Sequence, residues 1–118
     1  TVVLFSTKTK SWRKGLVAAS PANRTSLGRF LKQRRAVGGT NLWGGIEAAF
    51  ELEDADTFFL LSDGQPSTGS WTSYDDIVRE TQRANRTRRV TIHCVSLGVD
   101  SALLKELAAQ SGGVYVRR

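Results

Sequence analysis

Apolar positions along this chain form two kinds of pattern, and the two alternate. Strand-length stretches rich in apolar residues occur at residues 2–6, 58–61, 90–97 and 114–116. Between them the apolar residues return at helical intervals. Leu27, Phe30 and Leu31 make one stripe, and Leu42, Ile46, Ala49 and Phe50 a second. Ile77, Val78, Thr81 and Ala84 make a third, and Leu103, Leu104, Leu107 and Ala108 a fourth. Spacings of three and four residues place such side chains on one helix face. The order is strand, helix, helix, strand, helix, strand, helix, strand. It predicts an α/β fold, a mostly parallel sheet with helices on both faces.

Start and stop signals sharpen the helices. Ser20 before Pro21 offers a hydroxyl cap and a proline at the first helical position. Gly38-Gly39 breaks that helix, and Thr40 or Asn41 starts the next. Ser73 with Asp76 three residues on matches a capping box. Asp100 or Ser101 caps the last helix, and Gly112-Gly113 ends it in a left-handed turn. The Lys/Thr-rich residues 7–10 read as a turn leading to Trp12. Residues 64–73 read as a polar loop holding Pro66, Gly69 and Trp71.

Residues 57–64, Thr-Phe-Phe-Leu-Leu-Ser-Asp-Gly, carry the strongest single signal. Four large apolar residues without polar alternation, closed by Asp63-Gly64, predict a strand covered on both faces. Burying each of those side chains contributes about 1.5–3 kcal/mol, which makes this strand the centre of the expected core. Asp63 stands where the strand emerges. In open α/β sheets, ligands bind outside the carboxyl ends of the strands.

Length and composition narrow the class without changing it. The 118 residues, 40% hydrophobic and 24% charged, suit one globular domain spanning 1–118. No apolar run reaches membrane-spanning length. The chain opens directly on a strand with no signal-peptide pattern, which suggests a fragment of a longer protein. Cys94 is the single cysteine and lies in an apolar run, so it is expected to be a small buried hydrophobe. With one histidine beside it, a zinc site is not indicated.

Charge is more informative. The net +6 is unevenly spread: nine basic residues lie between Lys8 and Arg35, and no acid precedes Glu47. Acids then dominate to Glu80, and residues 83–89 turn basic again. A nucleic-acid surface on residues 8–35 and 83–89 is the sharper reading of these blocks. Solvated helix faces are the favoured one, because no nucleic-acid motif accompanies the charge.

The candidate chemistry lies in Gly38-Gly39-Thr40-Asn41-Leu42 and Ser62-Asp63-Gly64. A hydroxyl at a helix start and a carboxylate at a strand end are hard oxygen donors, suited to Mg²⁺ or Mn²⁺. Taken singly, Thr40 is a capping residue and Asp63-Gly64 a turn. In this order, joined by an amphipathic helix, they make a more specific pair.

Here the sequence resembles a von Willebrand factor type A domain. The resemblance rests on Val-Val-Leu-Phe-Ser, the tryptophan after it, Gly-Gly-Thr-Asn-Leu and Leu-Leu-Ser-Asp-Gly-Gln-Pro. It continues through the strand ending Leu-Gly to Leu-Ala-Ala-Gln-Ser-Gly-Gly-Val-Tyr. It implies a Rossmann-like fold with a metal-ion-dependent adhesion site at the carboxyl end of the sheet. Thr40 and Asp63 would be metal ligands there, Asp63 often through water, and a protein partner's acidic side chain would complete the coordination. An extracytoplasmic or cell-surface setting is favoured by the same resemblance. One departure is large: the family's first strand carries Asp-x-Ser-x-Ser, and no such pattern occurs in this chain. The resemblance therefore implies a partial domain lacking the first, central strand and first helix. Its metal site would be incomplete and its sheet edges unpaired.

Two other classes stay open at this stage. Asp63 could serve a phosphoryl-transfer or metal-assisted enzyme. Against that, no Lys-Ser/Thr follows Gly39-x-x-x-x-Gly44 as in a phosphate loop, and Ser62 has no nucleophile elbow. The basic nucleic-acid module is the other. A binding module with no catalytic residues is the leading expectation. Trp43 and Trp71 are expected near the rim of the site, as partner contacts or as packing residues. His93 is expected to be a satisfied strand residue. Asn23-Arg24-Thr25 and Asn85-Arg86-Thr87 fit a glycosylation sequon but lie in predicted helices.

Overall fold

In the computed structural model, residues 1–63 and 65–118 are described; Gly64, read above as part of the turn closing the central strand, lies outside them. The elements in order are β1 (Val3–Phe5), β2 (Thr9–Ser11), α1 (Pro21–Lys32), α2 (Leu42–Phe50) and β3 (Thr57–Ser62). They continue with α3 (Tyr74–Arg88), β4 (Thr91–Ser96), α4 (Ala102–Ser111) and β5 (Tyr115–Arg117).

The helix starts follow the expected caps. Ser20 Oγ accepts from Asn23 N at 3.2 Å, and Ser101 Oγ accepts from Leu104 N at 3.2 Å. Ser73 accepts from Asp76 N at 3.2 Å while its hydroxyl donates to Asp76 Oδ2 at 2.8 Å. Each satisfies a backbone donor that the first helical turn leaves free. α4 ends on Gly112 in the left-handed conformation, as expected.

The strands form two sheets. β3, β4 and β5 are parallel in that order, with Leu60 opposite Cys94 and Cys94 opposite Tyr115. β1 and β2 form a separate antiparallel hairpin in which Val3 faces Ser11. Among the described residues no ladder joins β1 to β3. The Lys/Thr-rich stretch expected to be a turn contributes instead to β2, whose residues Thr9, Lys10 and Ser11 carry no apolar signal and are exposed. Its pairing with β1 is what makes it a strand.

The core lies between one face of the parallel sheet and α2, α3 and α4. Leu42, Ile46, Leu60, Ile77, Val90, Ile92, Cys94, Leu104 and Leu107 are all buried there. Burial also pushes the Cys94 thiol up to about 12, so it is a protonated, inert core group. The α/β, mostly parallel architecture is the one the alternating pattern implied, and its helices cover one side of β3. The expectation that β3 is covered on both faces is corrected. Leu60 and Ser62 point inward, whereas Phe59 is 70% and Leu61 54% exposed. The reason is period two: alternate side chains face opposite sides of a strand, and among the described residues no helix buries the side that Phe59 and Leu61 occupy. α1 departs similarly, since its stripe of Leu27, Phe30 and Leu31 contains no buried residue.

Candidate functional site

The start of α2 divides two tasks between neighbouring residues. Asn41, not Thr40, is the cap: its Oδ1 accepts from Gly44 N at 2.8 Å. The Thr40 hydroxyl is thereby released from capping and forms no hydrogen bond among the described residues. The Thr40 backbone is held instead. Its N–H donates to Ser67 Oγ at 2.8 Å, and its carbonyl accepts from Ser67 N at 2.9 Å and Thr68 N at 3.3 Å. The end of β1 fixes the other side, where Asn41 N donates to Ser6 O at 2.7 Å and Gly39 N to Thr7 Oγ1 at 2.8 Å.

Asp63 follows the last residue of β3 and is exposed. Its Oδ1 accepts from Gln65 N at 3.1 Å, which orients the carboxylate at the head of the loop. Ser62 before it is buried, and its carbonyl accepts from Leu97 N at 2.9 Å. The loop then turns back on the start of α2. That approach needs two glycines. A Cβ at Gly39 would lie 2.5 Å from Thr68 Cγ2, and one at Gly69, where φ is +102°, would lie 2.1 Å from Asn41 Oδ1. The loop after Asp63 is thus stitched to the Thr40 backbone through Ser67 and Thr68, while Asp63 itself bonds within the loop, to Gln65 N.

Ser6, Thr7, Ser67 and Thr68 were not singled out from the sequence. They are small polar loop residues with no periodicity, and only the close approach of Gly39 and Gly69 marks their place. Thr68 Oγ1 is buried without a hydrogen-bond partner among the described residues. Buried polar atoms normally have one, so this oxygen is suited to a water or ligand at the site.

The donors present fit a hard cation in kind and fall short in number. Thr40 and Asp63 offer a hydroxyl and a carboxylate, whereas octahedral Mg²⁺ takes six oxygens at close to ideal geometry. Among the described residues, no group of three or more His, Cys, Asp or Glu is placed to hold a metal.

The remaining candidates are structural. Trp43 is buried in the core, and Trp71 packs against that core under the Arg79 guanidinium, 5.7 Å from its ring centroid. His93 Nδ1 accepts from Val114 N at 3.0 Å, and its ring stacks on Phe59 at 5.1 Å. Asn85 uses both amide atoms on Val90, donating to its carbonyl at 2.8 Å and accepting from its N–H at 2.7 Å. Asn23 Nδ2 donates to Ala18 O at 2.8 Å.

A parallel sheet packed against helices, with loops following the carboxyl ends of its strands, is consistent with a Rossmann-like fold. The chain belongs to the von Willebrand factor type A domain family, whose profile it matches over residues 1–117. Domains of this family are protein-interaction modules. Human inter-alpha-trypsin inhibitor heavy chain H4 is 30% identical over 132 residues, covering 98% of this chain and 14% of that protein. Human von Willebrand factor A domain-containing protein 3A is 28% identical over 115 residues, covering 94% of this chain. Bovine inter-alpha-trypsin inhibitor heavy chain H1 is 34% identical over 80 residues, covering 58% of this chain. The chain thus spans 14% and 9% of the length of the two human relatives.

Proposed function

We propose that residues 1–118 are a single partial type A domain of a larger protein, which binds a protein partner through a divalent cation. Thr40 and Asp63 would hold Mg²⁺ or Mn²⁺, and the partner would supply an acidic side chain. The observation that carries this reading is the division of tasks at α2, where Asn41 caps the helix and leaves the Thr40 hydroxyl unused. The separation of β1 from β3 supports a further strand between them, bearing the missing donors. A cation there would neutralise charge between two acidic groups that otherwise repel, making partner binding metal-dependent. No catalytic step is assigned to either residue. An extracytoplasmic or cell-surface setting fits this reading, and cell fractionation tests it.

The test is calorimetric titration of Mg²⁺ into a protein carrying an Asp-x-Ser-x-Ser segment ahead of Thr1. It should bind, and Thr40→Ala or Asp63→Ala should each weaken binding about tenfold or more, as loss of a metal-orienting group does. The 118-residue chain alone should bind weakly. Absence of Mg²⁺ heat from the extended protein overturns the proposal. Phosphate-ester turnover that disappears in Asp63→Asn would replace it with phosphoryl transfer.

A further inference from the structure

The nine basic residues between Lys8 and Arg35 are all exposed, and no acid precedes Glu47. None of the nine takes part in an ion pair among the described residues, where the basic partners are Arg79, Arg83 and Lys105. Their charge is therefore uncompensated within the fold, an arrangement that costs stability by self-repulsion and attracts an oppositely charged partner.

These charges lie on the β1–β2 hairpin, on α1 and on the segments that follow each, and the two elements are joined side by side. Arg13 Nη2 donates to Ser26 Oγ at 3.2 Å, tying the end of the hairpin to the helix. Between the two runs a shallow crevice of about 130 Å³ whose lining includes Val2, Trp12, Val17 and Leu27. At the other end the hairpin turn reaches the segment before α2 through the bond from Gly39 N to Thr7 Oγ1.

We infer that this surface docks an acidic protein segment, a stretch rich in Asp and Glu that seats an apolar side chain in the crevice. Three observations favour that partner. Positive charge without internal carboxylates selects a polyanion. A recessed apolar crevice serves a side chain, whereas a bilayer takes a projecting apolar face and a phosphate backbone needs none. Finally, Arg13 lies over Trp12 at 4.5 Å and Arg34 over Phe30 at 4.6 Å, so their own arginines cover one face of each ring on which bases would stack. The surface uses neither Thr40 nor Asp63 and needs no metal, so it is independent of the site proposed above.

The experiment is fluorescence anisotropy of the 118-residue chain with a labelled peptide of repeated Glu-Glu-Leu, and a matched peptide of Gln-Gln-Leu. The acidic peptide should bind and the neutral one should not. Affinity should fall at least about tenfold between roughly 50 and 200 mM salt, as screening of exposed charges requires. Lys8→Glu with Lys10→Glu, and separately Arg29→Glu with Lys32→Glu, should each weaken binding about tenfold, circular dichroism verifying the fold. Val17→Asp should weaken it by closing the crevice to apolar groups. EDTA and Thr40→Ala should leave it unchanged, which separates this inference from the metal-dependent one. No binding at low salt, equal binding of the neutral peptide, or insensitivity to the reversals overturns it. So does tighter binding to duplex DNA or phosphatidylserine vesicles than to the acidic peptide.

Discussion

Helices α1 and α4 begin alike and end up with opposite surroundings. Each starts on a serine whose hydroxyl accepts from the third helical N–H, and each carries leucines at helical spacing. α1 adds Pro21 at its start and Arg29 and Lys32 in its last turn, which complement the helix dipole. Yet α4 buries Leu103, Leu104, Leu107 and Ala108, and α1 leaves its stripe half-buried or exposed. The difference lies opposite them. α4 meets β4, β5 and α3, and its Ser111 hydroxyl accepts from Ile92 N at 2.9 Å. α1 sits beside a two-stranded hairpin that has no third strand among the described residues. Caps and stripes thus establish that a helix forms, and the sheet face available decides whether its stripe is buried.

The largest effect should come from testing that contrast directly. Leu104→Ala removes a fully buried side chain and should cost about 2–5 kcal/mol, the range for such truncations in a packed core. Leu31→Ala removes one that is 42% exposed and should cost less than about 1 kcal/mol. Urea unfolding followed by circular dichroism measures both. Similar costs would mean that α1 is as much a part of the core as α4.

A smaller effect is expected where the packed region is joined by a polar contact. Arg88 ends α3 and reaches the carbonyls that close α2. Its Nη2 donates to Leu52 O at 2.8 Å, Ala55 O at 3.1 Å and Glu53 O at 3.3 Å, and its Nη1 donates to Phe50 O. Phe50 O is one of the acceptors that a helix end leaves without partners, and the other three belong to the loop that follows α2. Arg88→Ala should cost about 2–3 kcal/mol, the scale of hydrogen bonds to a charged donor. Lysine should recover only part, because an ammonium cannot span the four carbonyls as the planar guanidinium does. Cys94 supplies the readout, since its thiol is buried and reacts only when the core opens. Its labelling should accelerate roughly 30- to 140-fold in the alanine variant if opening is a rapid pre-equilibrium. An unchanged rate would show that the cap holds only the surface.

How much of this was legible in the sequence follows the same contrast. α4 could be read from start to end because Ser101, its leucine spacing and Gly112 are all local. β3 could be placed by its apolar run, but not its exposure. Phe59 and Leu61 carry no mark of what lies over them, which depends on elements distant in sequence. β2 was invisible because its residues have no apolar pattern and owe their conformation to β1. At the candidate site, Thr40 and Asp63 were identifiable as oxygen donors near element ends. That Asn41 takes the capping role, and that Ser67 and Thr68 grip the Thr40 backbone, depends on a loop closure that single-residue preferences do not encode.

The smallest effect is a matter of acid, and it separates the two regions by charge. Asp100 Oδ2 accepts from Lys105 Nζ at 2.6 Å, and its Oδ1 accepts from the Tyr115 hydroxyl at 2.8 Å. The Lys105 bond, and after it the Tyr115 bond, hold its carboxyl below the usual 3.8. A carboxylate depressed in the folded state adds stability that is complete well above its unfolded pKa. That stability is lost as pH falls through the folded value. Asp76 behaves likewise, lowered first by Ser73 and then by Arg79. The region before Glu47 contains no acid and so contributes no such term. Thermal unfolding at a series of pH values should therefore find Asp100→Asn slightly less stable than the parent at about pH 6, the gap closing below about pH 4. Adding Asp76→Asn should flatten the acid limb further. A gap that persists unchanged at about pH 3 would mean that the Asp100 carboxylate acts through shape and not charge. Acid sensitivity would then not distinguish the packed region from the basic one.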